Sequence, residues 1–190
     1  MNSFYSNAEL KQIGLKAYGK DVLISKKCSI YGAENISIGN NVRIDDFCVL
    51  SGNIQIADHI HIAAGCYLFA GNAGIEMCDF TGLSSRCALY AVSDDYSGSV
   101  LTNAVLPEEF KNIISKKVLL EKHVLIGTGS TVLPGVRLSE GTAVGSMSLI
   151  TKDTQAWKIY FGIPAKPLKD RKKDLLLLEK TFLEKYNAKK

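Results

Sequence analysis

The stretch Val118–Asp153, VLLEKHVLIGTGSTVLPGVRLSEGTAVGSMSLITKD, places an aliphatic side chain at every sixth residue: Leu120, Ile126, Val132, Leu138, Val144 and Ile150. A helix turns every 3.6 residues and a simple strand alternates every two. Neither sustains a sixfold beat, whereas a short-repeat parallel β-helix requires one. Two residues ahead of each beat stand Val118, Val124, Ser130, Val136, Thr142 and Ser148. Residues two apart on a strand share a face, so each hexad offers two side chains to one core.

Working outward, the beat begins at Ile24 and Ile30, slips by two residues across Ala33–Asn35, and resumes at Ile38, Ile44, Leu50, Ile56, Ile62 and Leu68. A second slip at Ala70–Gly74 adds three residues before Met77, Leu83 and Leu89. Gly39, Gly127 and Gly145 directly follow a beat, and Gly65, Gly129, Gly135 and Gly141 stand three residues after one. Glycine tolerates the positive φ of tight corners, so its return at fixed phase marks where the chain turns. Three hexads, about 18 residues, then make one triangular coil.

The beat stops across Tyr90–Lys117, YAVSDDYSGSVLTNAVLPEEFKNIISKK. So long an excursion from a strict repeat is expected to be functional, and Tyr90, Tyr96, Phe110 and Ile113 favour an ordered loop. At the start, Phe4–Gly19 predicts a short helix, capped by Ser6 or Asn7, ended by Gly19 and lying as a lid on the first coil. At the end, Trp157–Arg171 leads into a helix from about Asp170 to Tyr186, with Leu175, Leu178, Phe182 and Tyr186 as its apolar stripe. The expected organisation is one domain, 1–190. It has a cap helix in 1–20, coils in 21–89 and 118–153, an excursion in 90–117, and a C-terminal turn and helix in 154–190.

A chain that is 46% hydrophobic and 22% charged is too ordinary in composition for disorder. The longest aliphatic run, Leu175–Leu178, is far too short to span a bilayer, and no basic segment leads into an apolar run, so a cytoplasmic protein without a transmembrane segment is expected. The net charge of +4 concentrates beyond Lys166. It fits a solvated helix face, or attraction for an anionic ligand such as a phosphorylated cofactor. No basic patch interleaved with aromatics argues for nucleic acid. Cys28, Cys48, Cys66 and Cys87 all fall two residues before a beat, which makes them small core hydrophobes in a reducing compartment. No CxxC pair argues for zinc, and no metal is expected.

The repeats IGNNVR, IGTGSTVLPGV and VGSMSLITKD, followed by GIPAKPLKDR, resemble the hexapeptide-repeat acyltransferases over nearly the whole chain. The resemblance implies an all-β fold, a left-handed parallel β-helix, with short N-terminal and C-terminal helices around it. It also implies a homotrimer that binds acetyl-CoA between neighbouring coils. The opening residues 4–52 and the SDDYSG loop look like acyltransferases of O-antigen and other surface-polysaccharide clusters, some of which N-acetylate dTDP-4-amino-4,6-dideoxyglucose. Gly127, Thr128, Gly129 and Ser146 lie on the regular late coils, where such a slot would hold the pantetheine arm; plain repeat geometry explains them equally. Ser148 falls on the inward phase. The GIPAK turn, with Pro164, Ala165 and Lys166, resembles the segment beside the nucleotide end of CoA, where a lysine suits a phosphate.

Many sugar acetyltransferases of this type carry a histidine in the excursion loop, and in register with it this chain has Ser93-Asp94-Asp95-Tyr96. The histidines are His59, His61 and His123. His61 precedes Ile62 and must point outward, and it resembles a histidine near the thioester in related sugar N-acetyltransferases. His59 and His123 stand at corners and are expected to be solvated. Aspartate has a reference pKa about 2.6 units below histidine, about 3.5 kcal/mol less proton affinity, so it is a poor base for a hydroxyl. A neutral amine is already a nucleophile. Asp95, with Asp94 beside it, would then only orient the amine and accept a proton late. The departure favours an amino-sugar acceptor, with O-acetylation through His61 as the alternative and a non-catalytic scaffold as the rival from another class. A metal-dependent carbonic anhydrase on the same coil needs three converging histidines, which this spacing does not provide.

Overall fold

The hexads stack as three parallel faces. The structure, a computed structural model, describes residues 3–187, with side chains through 185. The first face is built from Val22–Ile24, Val42–Ile44, Ile60–Ile62, Gly82–Leu83, Leu125–Ile126, Ala143–Val144 and Lys158–Gly162. The second starts at Ser29–Tyr31 and continues through the early parts of Val49–Ile56 and Tyr67–Met77 to Ala88–Tyr90, Thr131–Val132 and Leu149–Ile150. The third runs from Ala17–Tyr18 and Ile36–Ile38 through the late parts of those two long strands to Val118–Leu120 and Arg137–Leu138. Registers such as Val42 on Ile60 and Leu125 on Ala143 give the expected coil length. The chain therefore forms a parallel β-helix.

The beat residues are the core. From Ile38 to Ile150 every one is at most 4% exposed, and only Ile30, beside the first slip, is less than fully buried. The positions two residues earlier are buried too, including all four predicted cysteines. The thiols of Cys48, Cys66 and Cys87 donate to carbonyls of the next coil, as Cys66 does to Ser84 at 3.1 Å. Burial, with Cys48 nearby, pushes the Cys28 thiol up to about 12, so it stays protonated and inert. Thr81 occupies the same inward phase, 3% exposed, and its hydroxyl has no hydrogen-bond partner among the described residues. A buried hydroxyl without a partner carries an uncompensated desolvation cost. Thr81→Val keeps the shape, and calorimetry is expected to show stabilisation of about 1 kcal/mol, or ~2–4 °C in Tm. A lower Tm would mean that the hydroxyl is satisfied.

The corners explain the glycine phase. Gly129 turns at φ 72, three residues after Ile126, where neighbouring coils place Arg86 at φ 61 and Met147 at φ 58. Gly127 has a different reason: a Cβ there would lie 2.6 Å from the amide nitrogen of Ser146 on the next coil. At Gly127 close approach of the next coil's backbone, rather than positive φ, requires glycine, and at Gly145 the Phe161 ring does.

The termini differ from expectation in extent. Helix α1 spans Asn7–Ile13, and Ser6 and Glu9 form a capping box in which the Ser6 amide donates to Glu9 at 2.7 Å. It ends at Gly14, φ 78, rather than at Gly19, because Ala17–Tyr18 already pairs with Ser37 and Ile38 on the third face. Leu10 seals the first coil. At the other end, Lys158–Gly162 and Ala165–Asp170 form an antiparallel hairpin, so helix α2 begins only at Leu175 and runs to Asn187. Among the described residues no helix is long and apolar enough to cross a membrane.

The face that α2 buries also differs. Leu175, Glu179, Phe182 and Leu183 turn toward the coil, while Leu178 is 69% exposed; the side chain of Tyr186 lies outside the described residues. The reason is the corner it covers, which is a ladder of rings rather than an aliphatic surface. His59 stacks on Phe80 at 4.8 Å and Phe80 on His123 at 5.4 Å, while Phe182 meets His59 and Phe80 edge-on. His59 and His123 are thus packed corner residues and not solvated ones. His123, 6% exposed, pairs with Glu179 at 2.8 Å, and Lys122 takes the other carboxylate oxygen.

Burial alone would raise the Glu179 carboxyl, but the hydrogen bonds from Lys122 and His123 outweigh it and hold the group below its usual range. A lowered folded pKa stabilises fully above the unfolded value of about 4.3 and loses that stabilisation as pH falls through the folded value. Acid titration below about pH 4 is therefore expected to release α2 before the coil unfolds. The single tryptophan, Trp157, lies 6.2 Å from the His123 ring and reports it by fluorescence. The same transition persisting in Glu179→Gln would refute the assignment.

Candidate active site

Along the first face, the outward residues form a column: Leu23, Arg43, His61, Gly82, Leu125, Ala143 and Ile159. His61 points out as the alternation required, and its Nε2 lies 2.8 Å from Oδ2 of Asp45. The Arg43 Nε donates to the other oxygen at 2.7 Å. Burial would raise the Asp45 carboxyl, yet these two partners prevail and keep it ionised below its usual value. The imidazole is therefore held in place by a fixed anion.

Where this face turns into the second, a groove of about 470 Å³ opens between His61, Ala63, Gly82, Ser84, Leu125 and Thr128. Ser84, Gly127, Gly145 and Phe161 succeed one another along this corner, linked by bonds such as the Ser84 amide to the Ile126 carbonyl at 2.9 Å and the Gly127 amide to the Val144 carbonyl at 2.8 Å. Thr128 and Ser146 form the next column, and the hairpin carrying Pro164, Ala165 and exposed Lys166 closes its far end. The structure thus brings His61, Thr128, Ser146 and the hairpin to one edge. Gly127 and Gly129 serve the coil, and Ser148 faces inward, donating to the Gly145 carbonyl at 2.8 Å. Ser84 was not anticipated from sequence. The available signal was a hydroxyl directly after a beat, where the next two coils have Gly127 and Gly145.

Asp94 and Asp95 sit elsewhere. The excursion leaves the coil after Tyr90 as an antiparallel hairpin, Val92–Asp94 against Ile113–Ser115, at the far edge of the second face. Asp95 spends both oxygens on its own loop: Oδ1 accepts from the Ser97 amide at 2.7 Å and Oδ2 from the Asn112 side chain at 3.0 Å. Ser97 first, then Asn112, hold its carboxyl below the usual range, which makes it a weak base and a loop brace. Asp94 is exposed, and no hydrogen bond to its carboxylate is found among the described residues. Within one chain the second face separates this hairpin from the His61 groove. A larger groove of about 580 Å³, along the third face near Gln55, Glu76 and Lys122, holds none of the candidate residues.

Residues 35–70 match the bacterial transferase hexapeptide (six repeats) family. Over 183 residues, 95% of this chain and 95% of its relative, the sequence is 46% identical to a dTDP-4-amino-4,6-dideoxy-D-glucose acyltransferase from Escherichia coli. The chain belongs to the hexapeptide-repeat acyltransferases. Among solved structures, this acyltransferase resembles AntD, an N-acyltransferase from Bacillus cereus, in complex with dTDP and 3-hydroxybutyryl-CoA. The TM-score is 0.96 and identity 51%, covering 98% of this chain and 100% of that one. The S84C mutant of AntD, in complex with dTDP-4-amino-4,6-dideoxyglucose and coenzyme A, matches at 0.95 and 50% identity over 97% and 99% of the two chains. Other AntD structures carry substitutions at its own positions 84 and 94, and at those numbers this acyltransferase has Ser84 and Asp94.

Proposed function

We propose that this acyltransferase moves a short acyl group from a CoA thioester to the amino group of a nucleotide-linked amino-deoxysugar, dTDP-4-amino-4,6-dideoxyglucose or a near relative. The observation that carries the proposal is the groove bounded by His61, Gly82, Ser84, Leu125 and Thr128, with Ser146 and the Lys166 hairpin on the coils that follow. Its small residues leave backbone accessible to an extended pantetheine arm. The relatives' sugar nucleotide and CoA thioesters supply the two ligand classes.

The neutral amine attacks the thioester carbonyl carbon, the C–S bond breaks, and the proton lost by nitrogen leaves with the CoA thiol. Ser84, at the groove's edge, donates to the developing oxyanion, and Asp94 orients the amine. Because the groove and Asp94 lie at opposite edges of one face, the site is completed by the loop of a neighbouring copy. A homotrimer with one site per interface, as the family resemblance implies, would supply that loop. The protein works in the cytoplasm, supported by five cysteines that form no disulfide, in surface-polysaccharide synthesis.

The test is CoA-thiol release with dTDP-4-amino-4,6-dideoxyglucose and acetyl- or 3-hydroxybutyryl-CoA. Turnover is expected with the amino sugar and none with its 4-hydroxy counterpart. Preference for the hydroxyl sugar would establish the O-acyl alternative. No release with either acceptor, together with no rise in Tm on adding acyl-CoA, would leave the scaffold reading.

A further inference from the structure

In the outward column of the first face, Gly82 lies between His61 and Leu125, and its lack of a side chain is required by nothing in the fold. Its φ is not in the left-handed region. A Cβ built on it would sit 3.4 Å from Cδ1 of Leu125 and 4.0 Å from the His61 carbonyl oxygen, with no backbone in the way. This contrasts with Gly127, where the next coil forbids a side chain. Gly82 opens the short strand Gly82–Leu83, where glycine packs no side chain and can mark a bulge or the close approach of another molecule. No bulge is present, since Gly82 pairs in simple register with His61 below and Leu125 above.

What the glycine does is open a notch. Strands stack about 4.8 Å apart, so His61 and Leu125 stand about two spacings apart with only Gly82 between them. The notch is part of the groove that also holds Ser84 and Thr128. Its upper wall is aliphatic, the 45% exposed Leu125, and its rim carries hydroxyls and an imidazole. A side chain at position 82 would occupy this space, and its absence leaves room beside Leu125 for an aliphatic chain.

We propose that Gly82 is a specificity-determining residue: the notch over it receives the acyl chain of the thioester and admits chains longer than acetyl. This rests on the groove being the thioester site of the proposed reaction. One methylene in an apolar pocket changes kcat/KM by about 10- to 200-fold, so filling the notch has a measurable effect.

The experiment compares kcat/KM for butyryl-CoA and acetyl-CoA, with the amino-sugar nucleotide as acceptor, in the wild type, Gly82→Ala and Gly82→Val. The wild type is expected to use both thioesters within about tenfold of each other. The butyryl-to-acetyl ratio is expected to fall about tenfold in the alanine variant and about 100-fold in the valine variant. Gly82→Ala should melt at or above the wild-type Tm, because alanine suits a strand better than glycine. A ratio unchanged across the series, or a wild type that uses only acetyl-CoA, overturns the inference. A change in sedimentation with an unchanged ratio would place a neighbouring copy against Gly82, and overturns it too. A wild type that transfers neither acyl group overturns the reaction itself, which separates the two failures.

Discussion

Asp94→Ala is expected to lower kcat/KM for the amino-sugar acceptor by about 10²- to 10³-fold, the loss of a carboxylate that orients a nucleophile in the transition state. Asp95→Asn is expected to cost less than about tenfold. The two side chains are adjacent in sequence but differ in their hydrogen bonding. Asp95 accepts from the Ser97 amide and the Asn112 side chain, so its charge is spent on loop shape. Asp94 closes the strand Val92–Asp94 and has a free carboxylate among the described residues. Steady-state kinetics at saturating acyl-CoA check this directly. Equal losses at both positions, or a larger loss at Asp95, would return the catalytic role to Asp95.

The largest effect on stability is expected at the beat. Ile126 is fully buried, stacked between Leu83 and Val144 in the column where the coils meet. Ile126→Ala removes three carbons from a close-packed interior, and the expected loss is about 2–5 kcal/mol, a fall in Tm on the order of 10 °C. Its neighbour Leu125 points outward and is 45% exposed, so Leu125→Ala should cost under about 1 kcal/mol. In a solenoid each coil is held by its neighbours, so a lesson learned at one beat applies to the rest. Similar losses at 125 and 126 in thermal melts would contradict the assignment of inward and outward phases.

The coil was legible because period is a property of sequence. Leu120 and Val144 declare which side of the strand is buried before any coordinate is known, and the four inward cysteines follow from the same frame. The misread parts are those that depend on a partner in space. Leu178 falls on a reasonable helical stripe, but α2 meets a ladder of His59, Phe80 and His123, so the buried arc rotates to Glu179 and Phe182. Gly19 looked like a helix stop, yet Gly14 already has the left-handed conformation and the following residues join the sheet.

The candidate site divides in the same way. His61 could be placed outward by alternation alone. Its tether to Asp45, sixteen residues away, arises only because successive coils bring positions about 18 residues apart together. Ser84 and Gly82 carried weak signals: one is a hydroxyl where the two following coils have glycine, the other a glycine where a strand should have a side chain. That Asp95 is tied down while Asp94 is not could not be read from their order in the chain, since it depends on what Asn112 reaches across the hairpin.

The central claim is that the groove of one copy is completed by the Asp94 loop of another, and subunit mixing tests it most directly. Asp94→Ala disables the loop and leaves the groove intact; Thr128→Trp fills the groove and leaves the loop intact. Each variant alone is expected to be nearly inactive. Co-assembled in equal amounts, they should regain about a quarter of wild-type turnover, because random association pairs an intact loop with an intact groove at about one interface in four. A mixture in which exchange of copies is verified but turnover stays at the level of the separate variants would contradict the claim.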